Sequence, residues 1–201
     1  KGISVQYSYA FWIKINDVQG AWRPILQAGN NRSPGVWVWP NQTAIHIRIS
    51  TPRNWNDGND LSSGKIPFQK WCHIAFTIAG KEMIFYVNGV VKDKVELSIE
   101  PLSLNPTEQI YINTNVWEKN KVYTGVDISK LRMFDVKIDQ NYIRNILLHE
   151  LPLNNKKMQD CLYTHSDPFG RDAFAKCKHL EEQVPNMNDG IYLKVSLDQY
   201  E

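Results

Sequence analysis

A chain of 201 residues, 42% of them hydrophobic, is long enough to bury one substantial core and is unlike an intrinsically disordered segment. Its 23 Lys and Arg against 21 Asp and Glu leave a net charge of +2, too close to balance for bulk electrostatics to recruit nucleic acid or an anionic membrane. No apolar run reaches the roughly 18 residues of a membrane-spanning helix, and the opening KGISVQYSYAFW lacks a charged-then-apolar leader, so the chain reads as a domain of a longer protein.

Tyr7, Tyr9, Phe11, Ile13 and Ile15 alternate with Ser8, Ala10, Trp12 and Lys14, the period-2 pattern of a half-buried strand. Turn residues at 16–20 precede a short strand over 24–28, which Gly29 and Asn30 stop. In the run 36–39, VWVW, both indoles share one face and both valines the other; the indoles either stand exposed with the loop indoles or, the reading favoured, pack between two sheets with the valines outside. After a turn at 40–42, Ile45, Ile47 and Ile49 point inward, and His46, Arg48 and Ser50 outward. Residues 51–67, TPRNWNDGNDLSSGKIP, break all periodicity and predict a long exposed loop, the kind of segment that carries function on a rigid scaffold.

Residues 71–89 predict a hairpin. Cys72, Ile74, Phe76 and Ile78 share one face, 79–81 turn, Met83, Phe85 and Val87 answer, and Asn88-Gly89 ends the second strand in a type I′-like turn. Further strands are expected at 90–97, 110–112 and 126–136, with a polar loop at 117–125. Asp139 then caps an amphipathic helix in which Tyr142, Ile143, Ile146 and Leu147 recur at helical spacing before Pro152. Residues 153–185 are polar and Lys-rich, with a short helix expected over 171–182 and a closing strand over 190–197.

Four segments, in order and spacing, resemble laminin G-like modules of the concanavalin A-like superfamily. They are residues 9–14 (YAFWIK), 71–77 (WCHIAFT), 85–89 (FYVNG) and 128–134 (ISKLRMF) followed by the capped helix. The resemblance covers residues 3–150. It implies an all-β fold, an antiparallel jelly-roll β-sandwich over residues 1–152 with one short helix after the last main strand. Residues 153–201 fall outside the resemblance and are expected to be a polar C-terminal extension, partly helical and able to return a strand to the sandwich. Fold alone does not give function here, because such sandwiches serve lectins, adhesion modules, glucanases and structural domains alike.

Glucanases of the superfamily carry an E-x-D-x-x-E or E-x-D-x-E strand that sets two carboxyls about 5–5.5 Å apart for retaining hydrolysis. No such string occurs; residues 92–96 (KDKVE) and 135–139 (DVKID) hold two carboxylates each, offset by lysines. The five histidines are scattered, with His73 in the fold motif and His46 expected to neighbour it across a sheet. Cys72 reads as a buried thiol acting as a small hydrophobe, while Cys161 and Cys177 pair only in an oxidising compartment. The sequons at Asn31 and Asn41 accept glycans only in a eukaryotic secretory route.

Two features point to ligands. Asn54, Asn56, Asp57, Asn59 and Asp60 cluster in the 51–67 loop and offer oxygen ligands to a hard cation such as Ca²⁺, with Asp57, Asn59 and Asp60 as the metal set. The competing reading is a solvated, turn-rich loop, since the spacing is not that of an EF-hand. Laminin G-like modules often hold calcium at a loop rim, which the resemblance implies without matching residue by residue.

Trp12 and Trp71 are assigned to the core, whereas Trp22, Trp55 and Trp117 stand in or beside loops and suit sugar faces or protein hot spots. The expected ligand site is therefore Trp55, Trp117, Trp22, Arg53 and Asn54. Arg48 and Arg53 read as isolated charges, which argues against nucleic acid.

The resulting expectation is a non-enzymatic, lectin-like or adhesion-like module that binds glycan or protein in a larger multidomain chain. An extracellular, cell-surface or virion setting is favoured, with Ca²⁺ the one cofactor in view. A structural or assembly domain is the alternative, and a glycoside hydrolase using Asp93 or Glu96 the second.

Overall fold

The computed structural model describes residues 5–30, 32–57, 65–103, 109–118 and 120–150. Among them nine strands form: β1 (Gln6–Ile15), β2 (Arg23–Ala28), β3 (Gly35–Val38), β4 (Ile45–Arg48), β5 (Cys72–Ala79), β6 (Glu82–Val87), β7 (Val90–Glu96), β8 (Ile110–Ile112) and β9 (Val126–Phe134). One helix, α1 (Gln140–Glu150), follows the last strand. The strands make two antiparallel sheets, ordered β7-β6-β5-β1-β9 and β4-β3-β2-β8, packed face to face as a jelly-roll β-sandwich.

The layer between the sheets is filled unequally. The five-stranded sheet contributes the layer's large rings, Tyr7, Tyr9, Phe11, Phe76 and Phe85, beside aliphatic residues such as Ile13, Ile74 and Ile78, with Tyr9 stacked on Phe76 at 5.1 Å. The four-stranded sheet contributes aliphatic side chains, Ile25, Leu26, Val36, Val38, Ile45, Ile47 and Ile49. Large residues on one sheet facing smaller branched ones on the other fit the roughly 10 Å separation of packed sheets.

This arrangement reverses the expectation for residues 36–39. Val36 and Val38 are in the core, and Trp37 and Trp39 lie on the outer side. Cross-strand partners share a face. Val36 pairs with Ile47 and Val38 with Ile45, so the valines follow the isoleucines inward, while Trp37 pairs with His46 and goes out with it.

The outer face of the five-stranded sheet is covered by the helix. Ala10 and Ala75 are small enough to admit Ile143 and Ile146, with Ile138 and Tyr86 completing the contact. Asp139 caps the helix as expected, its Oδ1 accepting from Tyr142 N at 2.7 Å. Gln140 Nε2 and Arg144 Nε both donate to Gly89 O, at 2.8 and 3.2 Å, stapling the helix to the hairpin turn. That turn has φ of 50° at Asn88 and 73° at Gly89, the two positive values a type I′ turn requires.

At the other end of the helix, buried Glu150 accepts from Trp12 Nε1 at 2.6 Å and forms an ion pair with Arg132. Trp12 is therefore buried beneath the helix and not between the sheets, and Trp71 is half-buried. His73 lies on this same face, edge-on to Trp12 at 5.4 Å. His46 belongs to the other sheet, so the two histidines occupy opposite outer faces and form no pair. Cys72 is a buried core residue as expected. Residues 151–201, with the expected helix at 171–182, the strand at 190–197 and the Cys161–Cys177 pair, lie outside the described residues.

His73 gives the fold an acid limit. Complete burial, reinforced by the nearby Arg132 cation, pushes its imidazole down to about 3 from the usual value near 6.5. The unfolded chain thus binds a proton there below about pH 6.5 while the folded chain does not, so stability falls as the pH drops from 6.5 toward 3. The loss attributable to this residue at pH 4.5 is about 3 kcal/mol. Urea denaturation at pH 7.0 and 4.5 should show the wild type losing about that much more than His73→Phe; equal losses in both would move the acid sensitivity to other groups.

Candidate functional site

Four connecting segments converge on the outer face of the four-stranded sheet, the face opposite the helix. Each is held by local hydrogen bonds written in its polar residues. In the 16–22 segment, fully enclosed Arg23 at the start of β2 donates through Nη1 to Asp17 O at 2.8 Å and Asp17 Oδ1 at 2.7 Å. Asn41 N, in the β3–β4 turn, donates to Gln19 O at 2.8 Å, which brings Trp22 beside Trp39. Their ring centroids are 4.5 Å apart, and each is 4.8 Å from His46.

The 51–57 segment folds back on the end of β4. Ile49 N donates to Asp57 O at 2.8 Å, Ser50 Oγ to Trp55 O at 2.7 Å, and Asn54 Oδ1 accepts from Asn56 N at 3.0 Å in an Asx turn. Across the cleft, buried Asn115 Oδ1 accepts from the backbone N–H groups of Trp117 and Glu118 at 2.9 and 3.0 Å. These turns bring Trp55 and Trp117, each 56% exposed, edge-to-face at 6.0 Å.

Arg32 joins the two halves. Its guanidinium lies 4.5 Å from the ring centroid of Trp37, 4.6 Å from Trp55 and 4.9 Å from Trp117, and donates through Nη1 to Asn56 Oδ1. Burial among these rings, then the like charge of Arg48, hold its pKa down to about 10, so it is still a cation at neutral pH. Trp37 reaches this position because Gly35, two residues back on the same face, has no side chain. A Cβ on Gly35 would stand 2.2 Å from a carbon of the Trp37 ring.

The result is a cleft of about 380 Å³ lined by Trp22, Arg32, Trp37, Trp39, His46, Arg48, Asn56, Asn115 and Trp117. Arg48 Nε donates to His46 Nε2 at 2.9 Å, which makes the imidazole an acceptor on that edge. The wall is apolar and flat, with guanidinium and amide donors at intervals. Such a surface can stack on a planar or pyranose face and hydrogen-bond its substituents.

Of the residues the sequence singled out, Trp22, Trp55 and Trp117 come together around this cleft. Arg53 and Asn54 are exposed and not in its lining; Asn54 serves to shape the turn that presents Trp55 and Asn56. Asp57 accepts from Thr51 Oγ1 at 3.3 Å and Ser98 Oγ at 3.2 Å, and Asn59 and Asp60 lie outside the described residues. Among the described residues no three His, Cys, Asp or Glu side chains gather as a metal site.

Arg32, His46 and Arg48 were missed, and Trp37 and Trp39, weighed as exposed indoles, were assigned to the interior instead. Arg48, read as isolated, instead bonds His46 and faces Arg32. The signal for three of them was present in the register: once Ile45 and Ile47 are inward, His46 and Arg48 are outward, and Trp37, paired with His46, goes with them.

A family model described as concanavalin A-like lectin/glucanases superfamily matches residues 2–144. No curated protein sequence matches the chain. Among solved structures, domain 4 of AbnA, a GH43 extracellular arabinanase from Geobacillus stearothermophilus in complex with arabinotriose, is similar with a TM-score of 0.53 and 19% identity; the match covers 73% of this chain and 68% of that one. The botulinum neurotoxin serotype D binding domain is similar with a TM-score of 0.54 and 17% identity, covering 74% of this chain and 37% of that one. A Trypanosoma rangeli sialidase matches at 14% identity and a TM-score of 0.46, over 71% of this chain and 22% of its own. The chain thus spans about a fifth of the sialidase and little more than a third of the neurotoxin domain, and at these identities the likeness is one of fold.

Gly35→Ala tests the geometry directly. The added methyl and the Trp37 ring cannot share the space, so the ring must leave Arg32, with a changed near-ultraviolet circular dichroism spectrum and a stability loss of about 1–3 kcal/mol. An unchanged spectrum and unchanged stability would show that Trp37 does not lie over Gly35.

Proposed function

Because this chain belongs to the concanavalin A-like lectin/glucanases superfamily, we propose that it is a non-enzymatic recognition module that binds a saccharide in the cleft on its four-stranded sheet. The observation that carries this reading is the convergence of five indoles, Trp22, Trp37, Trp39, Trp55 and Trp117, on one face beside Asn56, Asn115 and His46. Indoles stack on the C–H faces of sugar rings, and the amides and imidazole then read the hydroxyls.

The cleft's composition supports binding over hydrolysis. Carboxylate-pair glycosidases need an acid and a nucleophile or base flanking the bond. Among the described residues lining the cleft there is no Asp or Glu. Asp93 and Glu96 stand on β7, an outermost strand of the other sheet. The module works as part of a larger chain in this reading, in an extracellular or virion-surface setting where glycans are displayed. A Ca²⁺ role for Asp57 with Asn59 and Asp60 is a separate proposal, read by the same experiment with Ca²⁺ and with chelator.

A glycan array probed with the wild type, Trp39→Ala and Trp117→Ala is the test. Trp117 is 56% exposed and Trp39, only partly buried, lies outside the core cluster, so their removal leaves the core intact. Each substitution should weaken binding to the selected saccharide at least about tenfold. No binding to any saccharide, or variants that bind like the wild type, would overturn the reading.

A further inference from the structure

The indoles of the cleft and its rim fall into two groups, one at each end. At one end exposed Trp22 and half-buried Trp39 lie 4.5 Å apart, each 4.8 Å from His46. At the other, exposed Trp55 and Trp117 meet edge-to-face beside the Arg32 guanidinium, and buried Trp37 flanks the same guanidinium.

Strand geometry keeps the groups apart. Trp37 and Trp39 are two residues apart on one face, so their backbones stand about 6.5 Å from each other along the strand. Their rings then diverge. Trp37 lies back over Gly35, toward the start of β3, while Trp39 packs against Trp22, whose loop is tied to the β3–β4 turn by the bond from Asn41 N to Gln19 O. Among the described residues no indole of one group is in ring contact with an indole of the other.

The floor between them is polar. Across the β3–β4 ladder His46 pairs with Trp37 and Arg48 with Gly35, and the bond from Arg48 Nε to His46 Nε2 runs along the floor from one end toward the other. Asn56, bonded to Arg32, adds its amide at the second end. Two stacking surfaces with hydrogen-bonding groups between them are more than one sugar ring can use, and a cleft of about 380 Å³ is in the range that drug-sized molecules fill. A single ring on one platform leaves the other in water, whereas two linked units lose translational freedom once and gain both stacks.

From this arrangement we infer that the ligand of the cleft is a linear oligosaccharide of at least two contiguous units lying along β3, one unit stacked at Trp22 and Trp39 and another at Trp55 and Trp117. The inference rests on the saccharide-binding reading and deepens it by naming the ligand class: the module reads a stretch of sugar chain and not a lone terminal unit.

The test is calorimetric titration with ladders of one to four units of linear gluco-, galacto-, manno- and xylo-oligosaccharides, and with the corresponding fragments of any other glycan the array selects. In a ladder that binds, Kd should fall at least about tenfold as the second or third unit is added, and the next unit should add little. Trp39→Ala and Trp117→Ala should each remove that gain, so that either variant binds the longer chain about as weakly as the wild type binds one unit. Indole N–H resonances of the wild type give a second reading, in which the longer chain shifts the signals of both groups at one-to-one stoichiometry.

A single unit bound as tightly as the chain, or a chain that shifts the signals of one group alone, would overturn this inference and leave saccharide binding standing. A gain with length that survives both substitutions would also overturn it, since the added unit would then rest elsewhere. Absence of binding to every ladder and every arrayed glycan would overturn both.

Discussion

Two sheets packed about 10 Å apart have room for one layer of side chains, and the period of two along every strand means that filling this layer also decides what faces out. In this chain the five-stranded sheet places five rings in the interior, Tyr7, Tyr9, Phe11, Phe76 and Phe85. The other sheet must answer with smaller residues, and Val36, Val38, Ile45, Ile47 and Ile49 do so. Trp37 and His46 are then outside by necessity. The cleft is the consequence of that packing constraint on a sheet whose alternate positions carry rings.

The two outer faces meet different fates for a related reason. On the five-stranded sheet Ala10 and Ala75 leave a shallow surface into which Ile143 and Ile146 of the helix fit, and Trp12, His73, Arg132 and Glu150 are sealed beneath its end. The face is closed, with Glu150 answering both Trp12 and Arg132. On the four-stranded sheet Gly35 lets Trp37 lie along its own strand, and the surrounding loops add rings to the rim instead of a covering helix. One face stabilises the domain; the other stays open as a cleft.

Much of this was legible in the sequence. The strand at 6–15, the 71–89 hairpin with its Asn-Gly turn and the helix capped by Asp139 each depend on local signals: period, turn chemistry and capping. The loop indole Trp55 was legible as exposed, and Trp22 and Trp117 as standing in or beside loops, because turn residues surround them. The faces of Trp37 and Trp39 were misread because alternation alone gives two faces without saying which is inner; the pairing of Val36 with Ile47 decides it, and that is a long-range fact. Arg32 had no periodic signal at all. It is the middle residue of a sequon in a turn, and its role arises from Trp37 and from two rings distant in sequence, Trp55 and Trp117, that close around it. Likewise His46 and His73 share a residue type and no neighbourhood, because they fall on different sheets.

The central claim, that the outer face of the four-stranded sheet is the recognition surface, is read most directly by the indole N–H resonances of the seven tryptophans. In a nuclear magnetic resonance titration with a saccharide selected by array, the signals of Trp22, Trp37, Trp39, Trp55 and Trp117 should shift together. Those of Trp12, sealed under the helix, and Trp71 should stay in place. Shifts confined to Trp12 or Trp71, with the other five unmoved, would contradict the account.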